Sequence, residues 1–345
     1  MKIGILTFHW ATNYGAVLQS YALQQTLVEM GHDVEIINYK PKRFDFSWRK
    51  YFRHPSAIRY IKRDYIQYQK ERLLVLFREN YLNLTQRYYT NKDLIRISSN
   101  YDVVISGSDQ ILNPSFTNLG EGCPTSTYYL SFASKSTKKI GYAVSFGCTV
   151  YPETAFLNAK KWIFNFDKIG VRENSGIEIL NSFNYKENRI LVPDPTILRG
   201  KSLFSEIKIS DPLLRDYYCV YVLRTNIKVN ANKGVFYIDE TNNPLSIESW
   251  LGYISYSKGL ITNSYHGMIM AILFHVPFVV ILEKNKNLSG MNDRFITLLN
   301  QLNLMDRIAD SEDAVIPVFS KEIIWDNVDN LLIKFQKIGK SFLNF

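Results

Sequence analysis

Cysteine is scarce in this chain: Cys123, Cys148 and Cys219 are the only three in 345 residues, odd in number and widely spaced. That pattern supports neither a disulfide framework nor a zinc site. It points to a reducing compartment, with each thiol acting as a small buried hydrophobe. Long apolar runs are missing as well. The longest, Met268–Leu282, is interrupted by His275 and Pro277 and is too short to span a bilayer. The N-terminal apolar run is broken by His9 and Asn13 and has no small-residue cleavage site after it, so it does not read as a signal peptide. There is no H-E-x-x-H, D-x-D, P-loop or G-x-G-x-x-G stretch. No metal and no cofactor are therefore expected. The expected location is cytoplasmic, extending at most to the inner face of a membrane.

Positive charge is plentiful but localised. The net charge is +9, and residues 40–72 alone hold eleven Lys and Arg against three acids. Phe44, Phe46, Trp48, Tyr51 and Phe52 are interleaved with these cations. Three readings of the stretch stand side by side. It is a solvated, mostly helical excursion, or a contact for a membrane surface or an anionic lipid-linked substrate, or a nucleic-acid contact. The last is the weakest, because no nucleic-acid motif accompanies the charge, and nucleic acid is not expected as a partner.

Elsewhere, strands and helices alternate. Lys2–Phe8 reads as a buried strand, Ala16–Met30 as a helix with Ala16, Leu23, Leu27 and Met30 on one face, and Val34–Tyr39 as the next strand. This βαβ pattern predicts parallel sheets covered by helices. The expected organisation is an N-terminal domain over 1–198 with a basic helical excursion at about 40–82, and a smaller domain over 199–320. A terminal helix at 321–345 follows. The spacing of Ile324, Val328, Leu331, Leu332, Phe335, Ile338 and Phe342 makes that helix amphipathic and fit to pack back on the domains. Only ten residues, 224–233, separate two strands of the second domain. Either they form a bare parallel crossover or the two strands are antiparallel.

Polar clusters collect where strands end, the edge at which open α/β sheets bind ligands. In TNYG, Asn13, Tyr14 and Gly15 lie between strand and helix, where exposed N–H groups favour an anion and glycine allows close backbone approach. A plain N-cap role for Asn13 is the alternative. GSDQ sets Ser108 and Asp109 past a strand; the acid can take a proton from a hydroxyl, or simply cap a turn. SFG brings Ser145 to the same edge. VRENS presents Arg172, a planar fork for carboxylate or phosphate, or one half of a structural ion pair. NSYHG is the sharpest of these motifs. Ser264, Tyr265, His266 and Gly267 precede a long apolar helix, and an imidazole in its first turn can act as acid or base or bind an anion. His9 and His275 read as packed residues.

Taken in order, NYGAVLQSYALQ, VVISGSDQILNP, GYAVSFG, VRENSG, VPDPTIL, ITNSYHGMIMAILFHVPFVVI and MNDRFITLLNQLNLMDRI resemble the polysaccharide pyruvyl transferase family. The resemblance implies two Rossmann-like domains facing a central cleft, similar to the GT-B glycosyltransferase fold. It also implies an enzyme that moves pyruvate from phosphoenolpyruvate onto two hydroxyls of a sugar, forming a cyclic ketal in surface-polysaccharide synthesis. The partners it implies are phosphoenolpyruvate and a saccharide or lipid-linked saccharide acceptor. On this basis Arg172 is expected to hold the donor's anionic groups and His266 to bind its phosphate or protonate it. Asp109 is expected to serve as base, Arg294 as a second cation, and the N–H groups near Asn13–Gly15 and Ser264–Gly267 to cradle an anion. Two positions depart from the family pattern. Ala16 stands where some members carry an acid, and Asn263 stands where an acid usually precedes Ser-aromatic-His-Gly. A glycosyltransferase using a nucleotide sugar, with Glu240 as a candidate contact, and a non-catalytic glycan-binding member are the competing functions.

Overall fold

The computed structural model describes residues 1–45, 59–117, 126–210, 216–223, 234–238, 244–283, 289–311 and 313–345. Cys123, Glu240, and Phe46, Trp48, Tyr51 and Phe52 of the basic stretch lie outside them.

Two parallel sheets form the frame. The first contains β1 (Lys2–Leu6), β2 (Asp33–Ile36), β3 (Val103–Asp109), β4 (Lys138–Val144), β5 (Lys168–Val171) and β6 (Arg189–Leu191), in the order β2-β1-β3-β4-β5-β6. The second contains β7 (Tyr218–Tyr221), β8 (Val235–Tyr237), β9 (Gly259–Thr262), β10 (Phe278–Ile281) and β11 (Ile308–Ala309), in the order β11-β10-β9-β7-β8. Strands β7 and β8 pair in parallel, Tyr218 opposite Val235, which excludes the antiparallel alternative. The crossover between them, 224–233, is outside the described residues.

Both sheets therefore share one plan. The first strand of each lies between the second and the third, so each has a switch point where the chain changes direction: β1/β3 in one sheet and β7/β9 in the other. Ligands of open parallel sheets bind beyond such points.

The helix Tyr14–Glu29 follows β1 at once. A one-sided apolar face was expected of it, but 13 of its 16 residues are buried. The reason is its central place: it packs on the first sheet and also against the Pro195–Arg199 and Tyr265–Phe274 helices. Its buried Gln19 ties strand ends together, donating to Thr7 Oγ1 (2.9 Å) and accepting from the Ser108 N–H (3.1 Å). The Tyr265–Phe274 helix is buried at all ten positions, as befits a helix apolar all round. A contiguous apolar cluster runs from Ile5 and Ile105 through Leu18 and Leu198 to Leu260 and Phe278, so the two sheets share one core.

The last helix, Trp325–Phe342, buries Val328, Leu332, Phe335 and Gly339, while Ile324 and Ile338 are exposed. His275 stacks on Trp325 (4.9 Å) and bonds Asp329 (2.9 Å), joining this helix to the second half. Gly339 and Gln336 join it to the first: Gln336 donates to the Ile197 carbonyl. No helix among the described residues is long and apolar enough to cross a membrane.

A Cβ at Gly339 would fall 2.7 Å from the Tyr142 hydroxyl and 2.8 Å from Leu198 and Pro193. Gly339→Val should therefore lower unfolding stability in urea by about 1–3 kcal/mol, the usual effect of overpacking. Lys337→Ala on the exposed face of the same helix should stay within about 0.5 kcal/mol. Equal stability of the two variants would show that this helix is not seated on the first sheet.

Candidate active site

A cavity of about 390 Å³ lies where the two switch points meet. The β1 end supplies Phe8, Trp10, Asn13 and Ala16, and the β3 end supplies Asp109 and Gln110. From the second half come Leu223 after β7, Asn263–His266 after β9, and Arg294. The size is that of a small-molecule site.

His266 is the second residue of the Tyr265–Phe274 helix, which Ser264 caps by accepting from the Gly267 N–H (3.3 Å). The first N–H groups of a helix have no intrahelical acceptor and carry partial positive charge, so this helix end offers donors to the cavity. The imidazole lies directly on Gly15: a Cβ there would sit 1.9 Å from its Nδ1. The sequence suggested that Gly15 lets backbone approach a ligand. Instead, the glycine makes room for His266. The TNYG turn is thus a bed for the imidazole. Asn13 caps the helix by accepting from the Ala16 N–H (3.1 Å) and also lines the cavity.

His266 Nε2 is 3.6 Å from Asp194 Oδ2, beyond a normal hydrogen bond, and has no hydrogen-bond partner. Asp194, the acid of the PDPT stretch, is fully buried. Its Oδ1 accepts from the Thr196 N–H (3.0 Å) and hydroxyl (2.7 Å), and its Oδ2 accepts from Arg172 Nη1 (2.8 Å). Burial alone would raise this carboxyl, but the charges of His266 and Arg172 outweigh burial and hold it well below the ordinary carboxylate range.

Arg172 requires the main correction. It was expected to face the donor, yet its side chain is 0% exposed and it does not line the cavity. Three carboxylates surround it: Asp109 (2.7 Å), Asp194 (2.8 Å) and Glu173 (3.7 Å). The ion-pair alternative is the one observed. Glu173 accepts from the Phe146 N–H (3.2 Å), and burial raises its carboxyl above the ordinary value despite Arg172. Asp109 does line the cavity. It ends β3 with φ 73°, a left-handed conformation that Asp tolerates better than most residues. Burial would raise it too, but Arg172, His266 and Arg294 together hold it below its usual value.

Arg294 is the cation that faces the cavity. It makes no ion pair among the described residues, and its Nε has no partner. Burial, with Arg172 nearby, pulls its guanidinium down to about 10. Tyr265 lies between the two cations, its ring centre 5.0 Å from the Arg172 guanidinium carbon and 5.3 Å from that of Arg294.

The remaining predicted residues serve the scaffold. Tyr14 is a joint between the halves: its hydroxyl donates to the Leu245 carbonyl (2.7 Å) and its ring stacks on Trp250 (5.3 Å). Ser108 donates to the Ala143 carbonyl (2.9 Å), Ser145 Oγ accepts from the Gly147 N–H (3.2 Å), and Gly267 packs on Thr262 and Tyr221. None of these four lines the cavity. His9 is buried on Asn38, and burial lowers it to about 4. Sequence reasoning missed Asp194 and Glu173, although both stood in quoted strand-end clusters. It also missed the aromatic lining (Phe8, Trp10, Phe116 and Tyr128), which has no motif. Among the described residues, no group of three or more His, Cys, Asp or Glu is placed to hold a metal ion.

Comparison with known proteins places this geometry. A model of the polysaccharide pyruvyl transferase family matches residues 13–285. No curated protein matches in sequence. Solved structures resemble the chain over nearly its whole length at low identity. UDP-GlcNAc 2-epimerase from Neisseria meningitidis bound to UDP-GlcNAc covers 99% of both chains at TM-score 0.55 and 8% identity. The UDP-GlcNAc 2-epimerase of Methanocaldococcus jannaschii covers 99% of both at 0.51 and 11%. S. aureus MnaA, in a co-structure with UDP, covers 97% of this chain and 90% of its own at 0.52 and 8%. At such identities the likeness is one of fold, the two-domain GT-B type. The family match spans most of the sequence, and the chain belongs to the polysaccharide pyruvyl transferase family.

Proposed function

We propose that this chain transfers pyruvate from phosphoenolpyruvate to two hydroxyls of one saccharide unit, releasing phosphate and leaving a cyclic ketal, as a step in exopolysaccharide biosynthesis. The observation that carries the reading is Arg294, a half-buried cation without a carboxylate ion pair among the described residues, facing a cavity that it shares with a helix N-terminus and with Asp109.

The chemistry suits these groups. Two C–O bonds form at the second carbon of the donor while its double bond and its bond to phosphate oxygen break. Of the two hydroxyl protons consumed, one goes to the methylene carbon, making a methyl group, and the other leaves with the phosphate. Arg294 and the N–H groups of Tyr265 and His266, at the start of the helix, hold the anionic donor. His266 delivers the proton to the methylene carbon. Asp109 receives a hydroxyl proton. Its lowered basicity is adequate, because attack on a carbon that has gained positive charge acidifies the hydroxyl. Arg172 and Asp194 act through these two residues, fixing the carboxylate of one and the environment of the other.

A peripheral membrane contact belongs to the same proposal, and the helix Ile61–Tyr81 supports it. Ile61, Tyr65, Tyr68, Arg72 and Leu76 are exposed at helical spacing along one face, flanked by exposed Arg59, Lys62 and Arg63. An apolar, aromatic stripe edged with cations fits an anionic lipid surface.

Thermal melting tests the donor site. Phosphoenolpyruvate at about 100-fold over its Kd should stabilise the chain by about 2.7 kcal/mol, a rise on the order of 5 °C in Tm. Arg294→Ala should remove that rise without lowering the Tm of the free protein. Arg172→Ala should instead destabilise the free protein by about 3–5 kcal/mol, because it strands buried carboxylates. A rise produced by UDP-sugars and not by phosphoenolpyruvate would replace this reading with nucleotide-sugar glycosyl transfer. No rise from either would leave a glycan-binding protein.

Sedimentation with vesicles tests the membrane contact. The protein should bind phosphatidylglycerol vesicles and not pure phosphatidylcholine, and should release as salt shortens the screening length. A variant combining Tyr65→Ser, Tyr68→Ser and Leu76→Ser should bind at least tenfold more weakly, since each exchange removes buried apolar area worth about 1 kcal/mol or more. Unchanged binding would remove this helix from the contact.

A further inference from the structure

One part of the cavity has no role in holding the donor. Phe8, Trp10, Phe44, Phe116 and Tyr128 form a continuous aromatic wall. Phe8 meets Trp10 at 5.8 Å, Phe116 at 5.7 Å and Tyr128 at 4.9 Å, and Trp10 meets Phe44 at 4.7 Å. All five residues come from the N-terminal half, whereas Arg294, Tyr265 and His266 come from the other half. Tyr128 is buried; Phe8, Trp10 and Phe44 are half-exposed and Phe116 is exposed, so the wall is accessible. Such partly exposed aromatics, contiguous in a cavity that also holds Asp109 and Arg294, call for an explanation by ligand.

The shape of the wall narrows the ligand. Phe8 meets its three neighbours edge to face, at 71°, 86° and 73°. These angles make a corrugated surface and not a flat platform. A planar base gains most from a parallel ring, while a puckered ring with C–H bonds at staggered heights fits corrugation. The C–H bonds of a pyranose face carry slight positive charge and meet the negative π-faces. Polar groups stand beside the wall for the hydroxyls. Asp109 is one. Asn13 is the other: its carbonyl oxygen caps a helix, and its amide nitrogen makes no bond among the described residues.

The Trp10 segment of the wall is also held in place. Arg78 donates to the carbonyls of Trp10 (3.3 Å) and Ala11 (3.2 Å). It is itself gripped by Glu71 through two bonds (2.8 and 3.2 Å), and Glu71 accepts from the Thr12 hydroxyl (2.7 Å). Both charged residues belong to the Ile61–Tyr81 helix. A surface fixed before the ligand arrives loses less entropy on binding.

We infer that Phe8, Trp10, Phe44 and Phe116 form the acceptor platform of this cavity, holding the C–H face of a pyranose while Asn13 and Asp109 take its hydroxyls. The inference rests on the pyruvyl-transfer reading for the identity of the reaction, but not for the binding itself.

Saturation-transfer NMR on the whole chain tests it, with a panel of methyl hexopyranosides and N-acetylhexosamines at tens of millimolar. At least one sugar should show transfer concentrated on the C–H protons of one ring face. Phe44→Ala and Phe116→Ala, both at accessible positions, should each weaken binding of that sugar about tenfold, the loss of one aromatic contact of ~1.4 kcal/mol. The melting shift from phosphoenolpyruvate should persist in both variants. Sugar signals unchanged in the double variant, silence from every sugar, or displacement of the sugar by UDP would each overturn the platform. Sugar binding lost in the aromatic variants, with no phosphoenolpyruvate shift in any protein, would sustain the platform and overturn the donor. Melting curves without ligand verify that each variant is folded.

Discussion

Arg172 is a positive charge without access to water, and the arrangement around the cavity follows from how that charge is compensated. Taking a guanidinium out of solvent costs several kcal/mol unless good partners replace the water. Here Asp109 and Asp194 each take one terminal nitrogen at 2.7 and 2.8 Å, with Glu173 alongside at 3.7 Å. Each partner is thereby fixed in place. Asp109 is held at the end of β3 facing the cavity, and Asp194 is held below His266. Glu173 closes the far side and receives the Phe146 N–H. Arg172 therefore stays charged, and Asp109 and Asp194 stay ionised, although Arg172 and Asp194 are fully buried and Asp109 largely so. Arg294 is what this pairing leaves over. Its guanidinium is pulled down by burial and by Arg172 itself, and an anion entering the cavity would favour its charged form.

The sheets place these charges. In each half, the first strand lies between the second and third, so two chain-reversal points face one another across the shared core. A single switch point can hold one ligand. Two in opposition can hold a donor and an acceptor within reach, one built from each half. The charge distribution fits that division. Arg294, the helix end at Ser264 and His266 all come from the second half, while the aromatic wall comes from the first. Gly15 is one point of contact between the halves, since the His266 ring of one lies on its backbone in the other.

Much of this was legible in the sequence, and the failures have a common cause. Alternating strands and helices, and polar clusters at strand ends, are local signals, and they marked Asp109, Ser264 and His266, all of which line the cavity, whereas Arg294 was marked through the family resemblance. Partners are long-range. Arg172 lies 22 residues from Asp194 and 63 from Asp109 in the chain, so no spacing could reveal that its charge was already satisfied. Gly15 carried a true signal, a position needing no side chain, but the neighbour it accommodates is a residue on the other domain. The helix Tyr14–Glu29 misled for a related reason. A helix buried on nearly every side has no amphipathic stripe, and its polar Gln19 and Ser20 are satisfied by bonds inside the fold. The aromatic wall is assembled from four separate segments, none of which forms a motif.

Two departures from the family pattern acquire physical meaning in this light. Asn263 does not cap the following helix; Ser264 does. The Asn263 amide instead accepts from the Leu223 N–H (2.6 Å) and donates to the Leu223 carbonyl (2.8 Å), pairing with that backbone as a neighbouring strand would. A carboxylate has no N–H and could make only the first of these bonds. The position therefore requires an amide in this chain, and it fixes Leu223 at the cavity just where the 224–233 crossover begins. Ala16 lines the cavity without any polar function. An acid there would add a negative charge beside Asp109 and His266, where Asp109 already supplies an ionised carboxylate held by Arg172. Like charges in one poorly hydrated site raise each other's pKa and weaken the hold on an anionic donor. On the proposed reading, alanine at 16 adds no further carboxylate beside Asp109 and leaves its balance with Arg294 unchanged.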